Sequence, residues 1–275
     1  MKKVILVGAG GKMGCRITDN LMHSDYMMSY LEVSEAGRRK LAEKGVEISI
    51  QDKVVPDGDI VILAVPDVAI QKVSAQIVPL MRPGSLLVTL DPAAALAGKI
   101  YHRNDISVYI SHPAHPSVFN WEPTEEAQRD YFGGTLAKQV TVSAIMQGTD
   151  EDYNIGDELT RRMYAPVIRN YKITVEQMGL LEPALVETLC STLQVIVREA
   201  LDIVIEKGVP AEAAKEFLLG HLNIQLAVIY DRIPGAVFSD AANKAIVRGK
   251  PLLIKENWRD VFEPDNVLEQ IRDIT

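Results

Sequence analysis

From Lys3 to about Thr149, short apolar runs alternate with segments of helical periodicity, the arrangement that builds βαβ units and a parallel sheet. Residues 4–7 predict a first strand and residues 12–22 a first helix; residues 27–33 and 35–44 repeat the pair. Residues 60–65 hold no polar side chain, as expected of a strand covered on both faces. A helix over residues 70–80, a turn at Pro83-Gly84 and strands over residues 85–90, 108–111 and 140–145 complete a doubly wound sheet of six or more strands.

Near Tyr171 the texture changes. Thr174-Val175-Glu176-Gln177 matches a capping box and opens a helix running to about Lys207. Gly208-Val209-Pro210 breaks it and starts another that ends near Tyr230; from Phe238 onward the chain reads as helical, closing on an amphipathic segment over residues 264–274. The pattern therefore predicts an α/β domain over residues 1–174 and an all-helical domain over residues 175–275. Residues 177–197 are apolar around most of the helix and residues 217–230 carry no formal charge, so both helices need cover on several sides. About a hundred residues cannot supply it easily, and a homodimer through the C-terminal helices is expected, with burial against the first domain as the alternative.

The chain's 275 residues are enough for one large or two moderate cores. A net charge of −8 excludes a nucleic-acid groove, which needs clustered Lys and Arg, but not a locally positive pocket for a small anion. Two cysteines, Cys15 and Cys190, fit a reducing compartment, and the cytoplasm is the expected location. The opening Lys2-Lys3 and the apolar run behind it stop at Gly8, too short for a secretory leader. No membrane span is expected, because the least charged stretch, residues 178–197, includes Glu182 and Glu187.

Gly8-Ala9-Gly10-Gly11-Lys12-Met13-Gly14 lies between the first strand and the first helix, where a dinucleotide site requires a glycine turn. Gly8 permits the tight turn, Gly10 and Gly11 permit close approach of a pyrophosphate, Gly14 permits tight helix–strand packing, and the N–H groups that open the helix, with Lys12 and Met13, meet the phosphates. The spacing is Gly-x-x-Gly-x-x-Gly. This is an N-terminal Rossmann domain. Glu32, 18 residues beyond Gly14 at the end of the second strand, can accept from the adenosine ribose hydroxyls and repel a 2′-phosphate, which favours NAD; Arg38-Arg39 is the counter-signal for NADP. Ala64-Val65-Pro66-Asp67, read as following the fourth strand, supplies Pro66 and Asp67 as walls of the nicotinamide-ribose pocket, with helix capping as the other role open to Asp67.

Ser111-His112-Pro113-Ala114-His115-Pro116, read as following the sixth strand, brings two of the five histidines to the edge where such sheets bind ligands. The proline after each favours an extended backbone, and in an ideal polyproline helix the rings sit about 9 Å apart. One ring would meet a metal ion or substrate oxygen and the other transfer protons. Glu182 precedes Pro183 inside an apolar helix, where a carboxylate needs a metal ion, an imidazolium, a substrate hydroxyl or an arginine (Arg161, Arg162 or Arg198). Glu187 lies about 140° around the helix and shares no face with it. His221, Asn223 and Gln225 add polar groups to the next helix, His221 as a secondary candidate.

The glycine turn, Ala64–Asp67, His112-Pro113-Ala114-His115-Pro116 and Leu180-Leu181-Glu182-Pro183-Ala184-Leu185 together resemble the 6-phosphogluconate/β-hydroxyacid dehydrogenase superfamily, in its phosphogluconate dehydrogenase-like branch, over essentially the whole length. The resemblance implies NAD-dependent oxidation of a branched sugar acid coupled to a rearrangement of the carbon skeleton, related in reverse to ketol-acid reductoisomerase chemistry. It also implies a divalent metal (zinc or magnesium) held by His112 and Glu182, with His115 as acid/base or third ligand. One departure matters: the decarboxylating members use a lysine and a neighbouring asparagine on the interdomain helix, whereas residues 174–207 hold no asparagine and no lysine before Lys207. Alternatives are a plain NAD-dependent hydroxy-acid or prephenate-like dehydrogenase, and a non-catalytic NAD-binding protein.

Overall fold

A computed structural model describes residues 1–275. Seven strands, β1 (Lys3–Val7), β2 (Met27–Leu31), β3 (Ile60–Leu63), β4 (Leu86–Thr89), β5 (Ser107–Pro113), β6 (Gln139–Gln147) and β7 (Val167–Lys172), form one sheet in the order β2-β1-β3-β4-β5-β6-β7. The first five run parallel; β6 is antiparallel to β5, and β7 is parallel to β6. The strand before Ala64 is thus the third, not the fourth, and the strand bearing His112 is the fifth, not the sixth. Residues between β2 and β3 spend their backbone hydrogen bonds on α3 (Gln51–Val54) and a 3₁₀ turn, Val55–Asp57, rather than on another strand.

The parallel crossovers are α1 (Lys12–Leu21), α2 (Glu35–Glu43), α4 (Asp67–Ile77) and the short α5 (Ala93–Leu96). Between β5 and β6 lies a long irregular loop holding only α6 (Glu125–Gln128), and α7 (Asp150–Met163) joins β6 to β7. Alternate strand residues feed two separate cores, as a period of two requires. Ile5, Val7, Val61, Leu63, Leu87, Val108 and Ile110 pack on one face, and Val4, Leu6, Ile60, Ile62, Leu86, Val88 and Tyr109 on the other with Leu159 and Met163 of α7.

The chain then enters α8 (Val175–Gly179), opened by the expected capping box: Thr174 Oγ1 accepts from Gln177 N and Gln177 Oε1 from Thr174 N. From Leu180 to Ser191 the winding widens to a π-helix that contains Pro183, before α9 (Thr192–Glu206), α10 (Ala211–Ile229), α11 (Asp240–Leu253) and α12 (Pro264–Ile274). Two compact units result: Met1–Glu182 with Leu268–Thr275, and Pro183–Val267. The expected division near residue 174 contrasts with this one, in which the helix start stays with the sheet. In the second unit α9 and α11 have no buried residue and α10 has only Ala214.

Beneath β5, β6 and β7 lies a buried polar network. Asn170 Nδ2 donates to Ser143 Oγ, Asp157 Oδ1 and Tyr109 Oη, while its Oδ1 accepts from Thr141 Oγ1. Thr160 Oγ1 bridges Tyr109 to Ser111, next to His112. Every group here finds a partner, which removes the desolvation cost of burying it and fixes the strand that carries the histidine.

The loop between β5 and β6 is organised by Asp130. Its carboxylate accepts from the N–H groups of Gly133, Leu136 and Ala137 and from Thr135 Oγ1. Burial opposes its ionisation, but these four donors outweigh that and pull its pKa down to about 2. A folded value below the unfolded one, near 3.9, means that the stabilisation is complete above about pH 4 and is lost as the pH falls through about 2. Asp130→Asn should therefore lower the melting temperature by roughly 2–4 °C at pH 7, and the gap from wild type should narrow below pH 4 in thermal scans. A gap that stays constant from neutral to acid pH contradicts this role.

Candidate active site at the carboxyl edge of the sheet

From β1 the chain moves one way to β2 and the other way to β3, so a crevice opens at the carboxyl ends of β1 and β3. Gly8 turns there with φ +78°, and a Cβ on it would lie 2.5 Å from the Ala64 carbonyl oxygen, so only glycine fits. Gly11 caps α1 with no side-chain hydrogen bond, leaving the N–H groups of Lys12, Met13 and Gly14 directed at whatever lies beyond the helix end. The Met13 side chain packs into the core. Gly10 also has a packing role: its N–H donates to Glu32 Oε2 at 2.9 Å, and a Cβ on it would meet Gly37 Cα at 2.3 Å.

Glu32 is buried and also accepts from Ser34 N at 2.8 Å. Burial resists its ionisation, but these backbone donors prevail and hold the carboxyl below its ordinary value. It lines a cavity of about 400 Å³ with Gly8, Gly11, Ser34, Val65 and Pro66. Arg38 donates through Nε to the backbone oxygen of Glu32. Asp67 stands one residue beyond Pro66, at the first position of α4. Burial and then the negative charge of Asp91 push its pKa up to about 6, and it also senses His112 and Glu182. Through this pair of residues the cavity adjoins a cluster of charge.

That cluster is Asp91, His112 and Glu182, whose ligand atoms all lie within 4.8 Å of one another. His112 lies within β5, which extends through Pro113, so its backbone is extended as expected. Nδ1 donates to the Leu90 carbonyl at 2.9 Å, because a carbonyl can only accept; Nε2 is thereby turned to Glu182 Oε2, 3.4 Å away. Asp91 Oδ2 lies 3.6 Å from Nδ1, and its Oδ1 accepts from Ala93 N. Burial disfavours a charge on the ring, yet the bond and charge of Glu182, then the charge of Asp91 and the Leu90 carbonyl, push its pKa up to about 9. Glu182 is correspondingly held below its usual range despite burial, by His112 first. Burial raises Asp91.

Glu182 reaches His112 from the π-helical stretch. Widening the helix accommodates the proline within a continuous run, and π segments often coincide with functional positions. The candidate arginine partners are engaged elsewhere: Arg161 with Asp157, Arg162 with Glu158 and Arg198 with Asp202. Asp91 was not foreseen. Its signal is its place just past β4, the same edge that singled out the histidines.

His115 departs from the extended backbone that its proline suggests. Its φ is +61°, and Nδ1 donates to the Phe132 carbonyl at 2.8 Å. His221, the secondary candidate, is exposed, and its Nδ1 bonds the Phe217 carbonyl one turn back.

The family described as phosphogluconate dehydrogenase (decarboxylating) C-term matches residues 120–275. The chain is 50% identical over 275 residues to a D-apionate oxidoisomerase of Cupriavidus necator, covering 100% of this chain and 99% of that one. It is 45% identical over 277 residues to a D-apionate oxidoisomerase of Rhizobium rhizogenes, covering 100% of both. A crystal structure described as a semialdehyde dehydrogenase NAD-binding protein from Cupriavidus necator, in complex with calcium and NAD, superposes with a TM-score of 0.98 at 50% identity over 100% of both chains. The chain belongs to the D-apionate oxidoisomerase family, the branch of the phosphogluconate dehydrogenase-like proteins that its motifs resemble.

Proposed function

We propose that this protein is an NAD-dependent oxidoisomerase that converts D-apionate to 3-oxo-isoapionate, and that Asp91, His112 and Glu182 form its rearrangement site. The observation that carries this reading is the gathering of these three side chains at the carboxyl edge, beside the dinucleotide crevice. The names of the relatives at 45% and 50% identity support the substrate.

The site suits a divalent cation. Two carboxylates and an imidazole converge, and Asp67 beside them is pressed towards its neutral form by burial first and then by the charge of Asp91. Such a donor set favours a hard, oxygen-preferring ion such as magnesium, manganese or calcium, and also accepts zinc. His112 through Nε2, Glu182 and Asp91 would hold it, and when bound it would supply Lewis-acid polarisation of a carbonyl oxygen. The nicotinamide, when bound, supplies the hydride acceptor.

The chain's own groups do the rest. The N–H groups opening α1 hold the diphosphate, and Glu32 receives the adenosine ribose and repels a 2′-phosphate. His115, with its proton fixed on Nδ1, offers Nε2 as acceptor for the proton of the hydroxyl being oxidised. The adjacent tertiary hydroxyl must then lose its proton as its carbon becomes the new ketone; the migrating substituent moves with its bonding electrons to the carbonyl carbon just formed, whose oxygen takes up a proton and becomes a hydroxyl. Glu182, held in its ionised form beside His112, would orient that hydroxyl. No lysine–asparagine pair stands on the helix that would serve decarboxylation.

In the second unit Val195, Ile196, Ile203, Val204, Phe217 and Ile224 are exposed, and a groove of about 750 Å³ runs between α9 and α10. A second copy of the chain covering these faces is the reading we adopt, with the reducing cytoplasm as the location. The helix Val175–Glu206 is long and apolar enough to cross a membrane by length and composition. Its Glu182, however, is committed to His112.

Four outcomes test this reading. Glu182→Gln and His112→Ala should each lower kcat/KM for D-apionate, followed as NADH, by about 10²–10⁴-fold, with NAD affinity by calorimetry changed less than about threefold. Dialysis against chelator should abolish turnover and a divalent salt should restore it, while Asp91→Asn weakens ion binding at least about tenfold; full activity in a metal-free preparation contradicts the metal reading. Glu32→Gln should narrow the preference for NAD over NADP by about tenfold or more, and unchanged selectivity would count against Glu32 as the discriminator. Light scattering should give the mass of two chains, and a monomer at micromolar concentration removes the dimer.

A further inference from the structure

We propose that Phe132 is a positioning residue for His115, tying the aim of that imidazole to the helix that opens the dinucleotide site. The inference rests on the reading of His115 as proton acceptor. His115 holds a left-handed backbone, φ +61°, which is uncommon for a non-glycine residue. Phe132 supplies two constraints on the ring. Its carbonyl oxygen accepts from Nδ1 at 2.8 Å, which selects the tautomer with Nε2 unprotonated, and its ring lies against the imidazole with centroids 4.8 Å apart at a tilt of 56°.

Phe132 is in turn fastened to α1. Lys12 Nζ lies 4.2 Å from the ring centroid and Arg16 Cζ 3.9 Å from it, so two cations one helical turn apart share one aromatic ring. Two residues on, the Gly134 carbonyl accepts from Asn20 Nδ2, a further turn along the same helix. The loop segment thus follows α1 at three successive turns, and Asp130 holds its remainder. Lys12 and Arg16 start and continue the first turn of the helix whose N–H groups face the crevice. The imidazole is therefore aimed from the cofactor helix through an aromatic ring, although it lies in a loop more than ninety residues beyond the end of that helix.

Leucine at position 132 keeps apolar bulk but removes the ring; tyrosine keeps the ring. The structure predicts that Phe132→Leu lowers kcat by about 10²-fold, the cost of a misplaced reacting group, with KM for D-apionate and NAD affinity each within about threefold of wild type. Phe132→Tyr should keep kcat within about threefold. In ¹⁵N-histidine NMR spectra the neutral His115 ring should appear as the Nδ1–H tautomer in wild type and in Phe132→Leu alike, because the backbone carbonyl that selects it is retained and only the ring contact is lost. Wild-type kcat in Phe132→Leu overturns the inference, and so does a loss of kcat accompanied by loss of NAD binding or of the folded state, which marks a merely structural residue. His115→Gln is the separate control: if it retains full kcat, the reading of His115 itself fails, whereas an inactive His115→Gln beside a fully active Phe132→Leu refutes the positioning role alone.

Discussion

The hydrogen bond from His112 Nδ1 to the Leu90 carbonyl joins the carboxyl ends of two neighbouring parallel strands and settles which ring nitrogen remains for chemistry. With Nδ1 committed, Nε2 is left to Glu182 at 3.4 Å, and Asp91 Oδ2 lies 3.6 Å from Nδ1. The bond depends on the register of β4 and β5, which sets Thr89 opposite Ile110. That register depends on the apolar strand residues that feed the two cores. A slip of one residue would reverse every side chain on β5 and turn His112 away from the edge. Packing in the sheet and chemistry at its rim are thus one constraint.

Much of this was legible in the amino-acid pattern. The unbroken apolar runs identified the central parallel strands, since only a strand covered on both faces carries no polar side chain. The glycine turn identified the crevice, and the Thr174–Gln177 capping box identified the start of α8. β7 escaped because it lies at the sheet edge and its buried position is Asn170, a polar residue satisfied by the network beneath it. No hydrophobic alternation marks such a strand.

The site was legible in part for the same kind of reason. His112 and Glu182 each stand beside a proline in an otherwise regular element, and that local conflict is visible in a string of letters. Asp91 and Phe132 are not, because their roles come from neighbours far away in the chain: His112 for one, Lys12, Arg16 and His115 for the other. Gly10 carries the converse lesson. A glycine within a phosphate-binding turn looks committed to the ligand, yet here its hydrogen atom in place of a side chain also makes room for Gly37 and its N–H holds Glu32.

A Rossmann crevice alone would serve a simple dehydrogenase. Only the charged cluster beside it asks for a second chemical event on the same carbon skeleton. Carbon-13 NMR of the product formed from labelled D-apionate and NAD separates the two most directly. The account predicts one NADH for each molecule of a 3-oxo acid in which one carbon substituent has moved to the neighbouring carbon. An accumulating ketone that retains the original carbon connectivity, formed with the same NADH yield, would contradict it.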